Sequence, residues 1–239
     1  MPYERSAAVY DAIHRGMGKD YAAEAATVAA LVLERCPGAR RLLDVACGTG
    51  THLQHLRHRF AVVEGLERSE HMASIARVKL PGVTVHEGDM RGFALGHRFD
   101  AVTCMFSSIG YAGTVEGLGR SVAAMAAHLD TGGVVVVDAW LTPDQWHDGH
   151  LGAQALDEPG LAIARVDTSH RIGRTSVLDF HYTVATTAGV DRFSERHELT
   201  MFTTAEYEAA FSAAGFTVER VPGLPDGRDR YVGILGTRP

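Results

Sequence analysis

The chain has 239 residues, 46% hydrophobic and 22% charged, a globular balance that excludes fibrous and disordered classes. A net charge of −6 leaves no basic excess to hold a polyanion, so nucleic acid is not an expected partner. Cys36, Cys47 and Cys104 show no paired spacing and read as buried thiols of a cytoplasmic protein; no apolar run approaches the roughly 20 residues of a membrane helix, and Glu4, Arg5 and Asp11 do not suit a signal peptide.

Residues 20–34 carry apolar side chains at helical spacing and Pro37-Gly38 ends the run, so residues 1–36 are expected to form an N-terminal helical cap. Strand and helix patterns then alternate: strand 41–46, helix 52–60, strand 61–66, helix 70–79 capped by Ser69, strand 82–87, strand 99–106, helix 115–129 and strand 134–140. This alternation predicts an α/β fold with a doubly wound, mostly parallel sheet covered on both faces. After Trp140 the helical period vanishes. Three period-2 segments between about 160 and 201, parted by RIGR and AGVDR turns, predict an antiparallel β-meander over one edge or face of the sheet. Helix 205–214 and strands 216–221 and 230–236 close what is expected to be a single domain spanning 1–239, with 141–201 as its insertion.

The most informative stretch is LLDVACGTGTH at 42–52. A buried strand ends in Asp44, and Gly48 and Gly50 let backbone approach a ligand at the carboxyl end of the sheet. A dinucleotide site would require a third glycine, but Leu53 stands there and nothing else supplies the missing small residue. An acid placed as Asp44 is suits a cationic amino-acid moiety instead. Glu67, 17 residues after Gly50 at the end of the second strand, is placed to take both hydroxyls of a ribose. Asp89 follows the third strand, where it can accept from an adenine amino group while Met90 packs on the ring.

These motifs, with CMF after the fourth strand, resemble class I S-adenosylmethionine methyltransferases, with their Rossmann-like fold. YDAIHRGMGKDY (10–21), GDMRGF (88–93), FDAVTCMFSSIG (99–110) and LTMFTTAEYEAAFSAAG (199–215) are similar to TDP-amino-sugar N,N-dimethyltransferases, and the likeness covers nearly the whole chain. The resemblance implies S-adenosyl-L-methionine held by Tyr10, Tyr21, Asp44, Ala46, Gly48, Gly50, Glu67, Asp89, Met90 and Met105. It implies methylation of the amine of a TDP-linked deoxyamino sugar in antibiotic deoxysugar biosynthesis, by a homodimer, with the meander covering the acceptor site. Tyr3, Ser107, Trp140, Arg165, Ser169, Arg171 and Arg228 are the acceptor candidates, the arginines facing its diphosphate. Rival readings are an O-methyltransferase or free-amine methyltransferase, a non-catalytic S-adenosylmethionine-binding protein and a nicotinamide enzyme.

Two positions depart from the family pattern. Tyr111 stands where relatives carry a histidine after CMFSSIG; a phenol, with an ordinary pKa near 10, is a poor base at neutral pH. Tyr111 is therefore expected to orient the amine, with water or groups near Glu4 taking the proton. The PDGR segment adds Asp226 and Asp229 beside Arg228. No metal site is expected: His52, His55 and His58 step around a helix and read as a solvated face, and Asp144, His147 and His150 lack a fourth ligand. The remaining histidines look scattered, and Arg174 and Arg230 read as solvated.

Overall fold

The computed structural model describes residues 3–222, 224 and 227–237. A 3-10 turn (Ser6–Val9) leads into α1 (Tyr10–Gly16) and α2 (Tyr21–Arg35). Asp20 caps α2 by accepting from Ala23 N at 2.9 Å, which satisfies a donor that the helix itself leaves unpaired. Next come β1 (Arg41–Val45), α3 (Thr51–Leu56), β2 (Val62–Glu67), α4 (Glu70–Lys79), β3 (Thr84–Glu87), β4 (Phe99–Cys104), α5 (Val115–Ala127) and β5 (Leu129–Asp138). Helix α3 stops short of the predicted residue 60. Past Leu56 the chain tightens into a three-residue turn, Arg59 N to Leu56 O at 2.8 Å, and Phe60 folds inward and is buried.

Strands β1 to β5 run parallel. After α6 (Thr204–Ala213), which opens on a complete Thr203/Glu206 capping box, come β10 (Phe216–Val221) and β11 (Arg230–Leu235). Strand β11 lies antiparallel between β10 and β5, giving the order β10-β11-β5-β4-β1-β2-β3. The order reverses between β1 and β4, which opens a crevice at their carboxyl ends. Helices α2, α3 and α4 cover one face through Val28, Val32, Leu53 and Ala76. Helices α5 and α6 cover the other through Leu118, Val122, Met125 and Phe211. Helix α2 is thus part of the sheet's covering layer. The segment before it reaches the second sheet, where Val9, Ala12 and Ile13 pack on Ile163, Tyr182 and Val184.

That second sheet is the meander: β6 (Leu151–Glu158), β7 (Leu161–Ile172), β8 (Thr175–Thr186) and β9 (Gly189–Thr200), antiparallel in that order. Strand β6 was not expected. LGAQALDE is poor in the β-branched and aromatic residues that mark strands, and eight paired positions on β7 hold it extended. The meander spans the carboxyl ends of β4 and β5: Trp140 Nε1 donates to Ser176 Oγ at 2.8 Å, and Thr200 Oγ1 donates to Gly113 O at 2.7 Å. Gly110 permits this approach, because a Cβ there would stand 3.0 Å from Leu199 and 3.2 Å from Trp140.

The small residue that the first loop lacks is supplied by the neighbouring strand. A Cβ on Gly65 of β2 would lie 2.6 Å from Cys47 Sγ and 2.9 Å from Leu53 Cδ1. Leu53 is tolerated because its partner across the sheet is a glycine. Gly65→Ala should therefore destabilise the fold by about 1–3 kcal/mol through overpacking. An unchanged urea midpoint would contradict this account.

Candidate functional site

The carboxyl ends of β1 to β4 and the N-terminal segment enclose a cavity of about 380 Å³. Its floor is the turn after β1, where Ala46 (φ 57°) and Gly48 (φ 58°) are both left-handed. Such backbone is costly for alanine and is found chiefly where a site over-determines it. A Cβ on Gly48 would meet nothing within 4 Å. Gly50, expected at the ligand, is not in the wall: a Cβ there would lie 2.7 Å from Leu80 and 3.2 Å from Ala76, so its role is packing against α4.

Three of the carboxylates that line the cavity are those expected from the sequence. Glu67 accepts from Gly48 N at 2.9 Å and from Arg68 N and Ser69 N at 2.8 Å each. With three of about four acceptor positions used, room for a hydroxyl donor remains. Asp44 is buried and accepts from Thr103 Oγ1 at 2.7 Å through Oδ1, while Oδ2 has no hydrogen-bond partner. Burial pushes its carboxyl up to about 6, against the opposing pull of His52 and Thr103. Asp89 is paired with Arg91, Nε at 2.9 Å and Nη2 at 2.6 Å, a bond that holds its carboxyl down at about 2. The arginine partner was not foreseen.

Met90, Met105, Tyr10 and Tyr21 complete this side of the wall, and Tyr21 Oη is a second buried atom without a partner. His52, read as solvated, is buried; it bonds Glu24 at 2.8 Å and sets its ring edge-on to Tyr21. An orphaned carboxylate oxygen, an orphaned phenol oxygen, an open glycine and a fixed carboxylate fit a ligand carrying both a cation and hydroxyls.

The opposite wall is phenolic. Tyr3 Oη lies 3.0 Å from Tyr111 Oη, and Tyr111 Oη lies 2.6 Å from His197 Nδ1. His197 Nε2 faces Glu195 Oε2 at 3.6 Å. Glu195 is tied to the N-terminal segment by Arg5 N at 2.8 Å, Ser6 N at 3.1 Å and the Ser6 hydroxyl. Despite burial, the neighbouring His197, the Ser6 hydroxyl and the backbone N–H groups of Arg5 and Ser6 hold its carboxyl at about 2. Burial raises the Tyr111 phenol well above its ordinary value.

His197 and Glu195 were missed in the sequence, yet a signal exists. In β9, Phe193, Glu195, His197 and Leu199 fall on one side at period 2. A Glu and a His among apolar residues on an inward face mark a polar task. An imidazole from β9 touches the phenol at position 111.

The acceptor candidates divide into groups. Ser107, itself left-handed at φ 62°, accepts from Arg228 and donates to Ala139 O; the Arg228 guanidinium lies 5.2 Å from the Phe106 ring and 5.7 Å from Trp140. Arg165 and Ser169 sit on the inward face of β7, where Arg165 donates to Gln154 at 2.8 Å and stands 4.7 Å over Phe180. Arg171, two residues further along β7 and opposite Ser176 of β8, is exposed. Asp229 pairs with Arg220 at 3.2 Å, and Asp226 lies outside the described residues. Arg230, read as solvated, is buried against Asp138 at 2.7 Å, whereas Arg174 bonds Glu206 in the open.

A general methyltransferase domain family matches residues 42–133, the strands and loops that carry Asp44, Glu67 and Asp89. The dTDP-3-amino-3,4,6-trideoxy-alpha-D-glucopyranose N,N-dimethyltransferase of Streptomyces venezuelae is 51% identical over 95% of this chain and 96% of its own. The chain belongs to the TDP-amino-sugar N,N-dimethyltransferase family. A second relative, the dTDP-3-amino-3,6-dideoxy-alpha-D-glucopyranose N,N-dimethyltransferase of Streptomyces fradiae, is 46% identical over 97% of this chain and 91% of its own. The crystal structure of Streptomyces venezuelae DesVI superposes with a TM-score of 0.93 at 51% identity, covering 96% of this chain and 98% of that one. A SAM-bound amino pentose methyltransferase of Micromonospora echinaspora gives 0.87 at 46% identity, covering 95% and 96%. The cofactor of this N,N-dimethyltransferase is S-adenosyl-L-methionine. Among the described residues no helix is long and apolar enough to cross a membrane.

The raised Asp44 carboxyl sets a pH dependence. Folding favours its protonated form, so the stability it lends is complete below its ordinary 3.8 and is lost as pH rises through about 6. Asp44→Asn should therefore be more stable than the parent at pH 7, by on the order of 1–3 kcal/mol, with the difference vanishing in acid. Denaturant titrations across that range check the sign; a variant less stable at pH 7 would refute it.

Proposed function

We propose that the chain transfers methyl groups from S-adenosyl-L-methionine to the amine of a dTDP-linked deoxyamino sugar, twice in succession. The carrying observation is the two-sided cavity. Asp44, Gly48 and Glu67 line one wall, and a paired phenol, Tyr3–Tyr111, lines the other. Bound there, the cofactor supplies an electrophilic methyl on a sulfonium. In this reading Glu67 takes a ribose hydroxyl at its remaining acceptor position, Asp44 the cationic methionine end, and Asp89 with Met90 the adenine. The faces of Tyr10 and Tyr21 sit by the sulfonium, where cation–π attraction favours them.

The chain's further task is to hold a neutral amine in line with that methyl and keep water out. Trp140, Ser107 and Arg228 receive the nucleotide, Arg228 by pairing with its diphosphate. In this reading Arg165 and Ser169, on the inward face of β7, extend the acceptor path, and the meander, 141–201, covers the acceptor. The exposed position of Arg171 gives it a peripheral part at most. Nitrogen is favoured over oxygen as acceptor because the relatives at 51% and 46% identity are N,N-dimethyltransferases. A cytoplasmic location accords with the three free cysteines, and a homodimer with the exposed Leu151 and Val166 on one face of the meander.

Calorimetry tests the assignment. Glu67→Gln should weaken S-adenosylhomocysteine by about 1–3 kcal/mol, since a ribose hydroxyl loses a charged acceptor. With S-adenosylhomocysteine present, dTDP should bind saturably and UMP should not. Arg228→Lys, which keeps the charge but loses the two-pronged geometry, should weaken dTDP. Tight S-adenosylhomocysteine binding without dTDP binding would remove the sugar-nucleotide acceptor and leave the methyltransferase.

A further inference from the structure

We propose that His197 is the terminal proton acceptor of the reaction, acting through Tyr111 and Tyr3. This rests on the amine acceptor proposed above. The chain of hydrogen bonds can run in one direction from the cavity to His197. When the imidazole carries its proton on Nε2, the nitrogen that faces Glu195 at 3.6 Å, Nδ1 can only accept. The Tyr111 hydroxyl 2.6 Å away then donates to it, which leaves the Tyr111 oxygen to accept from the Tyr3 hydroxyl at 3.0 Å. The Tyr3 oxygen thus keeps a free lone pair, and Tyr3 and Tyr111 both line the cavity.

After each transfer the amine nitrogen carries one proton too many, and the second methylation needs that nitrogen neutral. The proton passes to the Tyr3 oxygen as the Tyr3 proton moves to Tyr111 and the Tyr111 proton moves to His197 Nδ1. The amine becomes neutral, both phenols are restored, and the new imidazolium stands beside the Glu195 carboxylate. Tyr111 itself is unsuited to be the base, since burial disfavours its phenolate. The titratable groups facing the imidazole are Tyr3 and Tyr111 across the cavity and Glu195 on its own strand; Phe180 packs on it from β8 at 5.2 Å, with Arg165 on that ring. His197 is therefore a positioning and relay residue, not one in contact with the methyl.

The test compares the parent with His197→Asn, using S-adenosyl-L-methionine and dTDP-3-amino-3,4,6-trideoxyglucose. At neutral pH kcat should fall roughly 100-fold with S-adenosylhomocysteine affinity unchanged, and product should accumulate with one methyl group. The deficit should shrink as pH rises and solvent removes the proton unaided. A variant with the parent's pH profile and dimethylated product would overturn the proposal. A substrate-free readout separates this from failure of the acceptor assignment: Tyr111→Phe should shift the His197 imidazole resonances in NMR. Unmoved resonances would also overturn it, whatever the acceptor.

A different region carries a second inference. No helix joins β3 to β4, and the irregular return brings His97 onto the sheet beside two side chains of β2 and β3. Glu64 accepts from His86 Nε2 at 2.6 Å and from His97 Nε2 at 3.1 Å, and the three ligand atoms lie within 4.8 Å of one another. The Glu64 side chain is 13% exposed, and its side-chain partners are these two imidazoles, with no Lys or Arg among them. A mostly buried carboxylate is thus faced by groups that carry no fixed positive charge. We infer that Glu64, His86 and His97 bind a borderline divalent cation such as Zn²⁺, with water completing the tetrahedron, and so fasten the β3–β4 connection to the sheet. Two imidazoles and one carboxylate suit zinc and not magnesium.

EDTA-treated full-length protein titrated with ZnCl2 should take up one equivalent and gain thermal stability, and MgCl2 should give no heat. Glu64→Gln and His97→Ala should each weaken zinc by at least about tenfold. No saturable uptake, or the same affinity in both variants, would overturn the site. His55→Ala with His58→Ala serves as the control for surface histidines and should leave zinc affinity unchanged.

Discussion

The architecture of the cavity depends on one carboxylate. Glu67 gathers three backbone N–H groups from two different loops, Gly48 from the turn after β1 and Arg68 and Ser69 from the start of α4. Each is a donor that a strand–turn–helix junction leaves unpaired. A charged acceptor bonded to all of them is worth more than three neutral turns would be. It also holds the left-handed Ala46–Gly48 turn open. The residue expected to recognise the ribose is thus also the one that shapes the floor on which the ribose would lie.

The same device recurs on the acceptor side. Asp138, at the end of β5, accepts from Phe106 N at 3.0 Å and from Arg230 at 2.7 Å, beside the left-handed pair Phe106–Ser107. Glu195 anchors the residues that lead into Tyr3 and α1. Three carboxylates at three strand positions each hold a strained or unsupported backbone segment in place. Such strain persists only where surroundings over-determine it, and here the surroundings are buried charges.

Most of the fold was legible because its signals are local. The Val134–Val137 run, the Ser69 cap and the Asp44–Gly48 turn each announce themselves within a few residues. What escaped was set by contacts between distant segments. Strand β6 has weak propensity and forms because β7 pairs with it. Gly65 compensates Leu53 from the next strand, and Gly50 serves Leu80 and Ala76. His52 reads as surface on a helical wheel but is buried against Glu24. His197 was hidden because the residue it serves, Tyr111, is 86 positions earlier in the chain. Histidines that look scattered in one dimension meet Glu64 in three.

The two sheets share no ladder: the four strands of the meander pair only with one another, and the seven of the core likewise. On β7 and β9 the buried side chains, Arg165, Ser169 and His197 among them, alternate with exposed ones. Exchanging the buried ones alters no hydrogen bond of the core sheet and no loop after β1 or β2. Away from Glu195, which anchors the segment leading into Tyr10, selectivity for what is methylated can therefore drift in evolution, or be redesigned, independently of the apparatus that donates the methyl group.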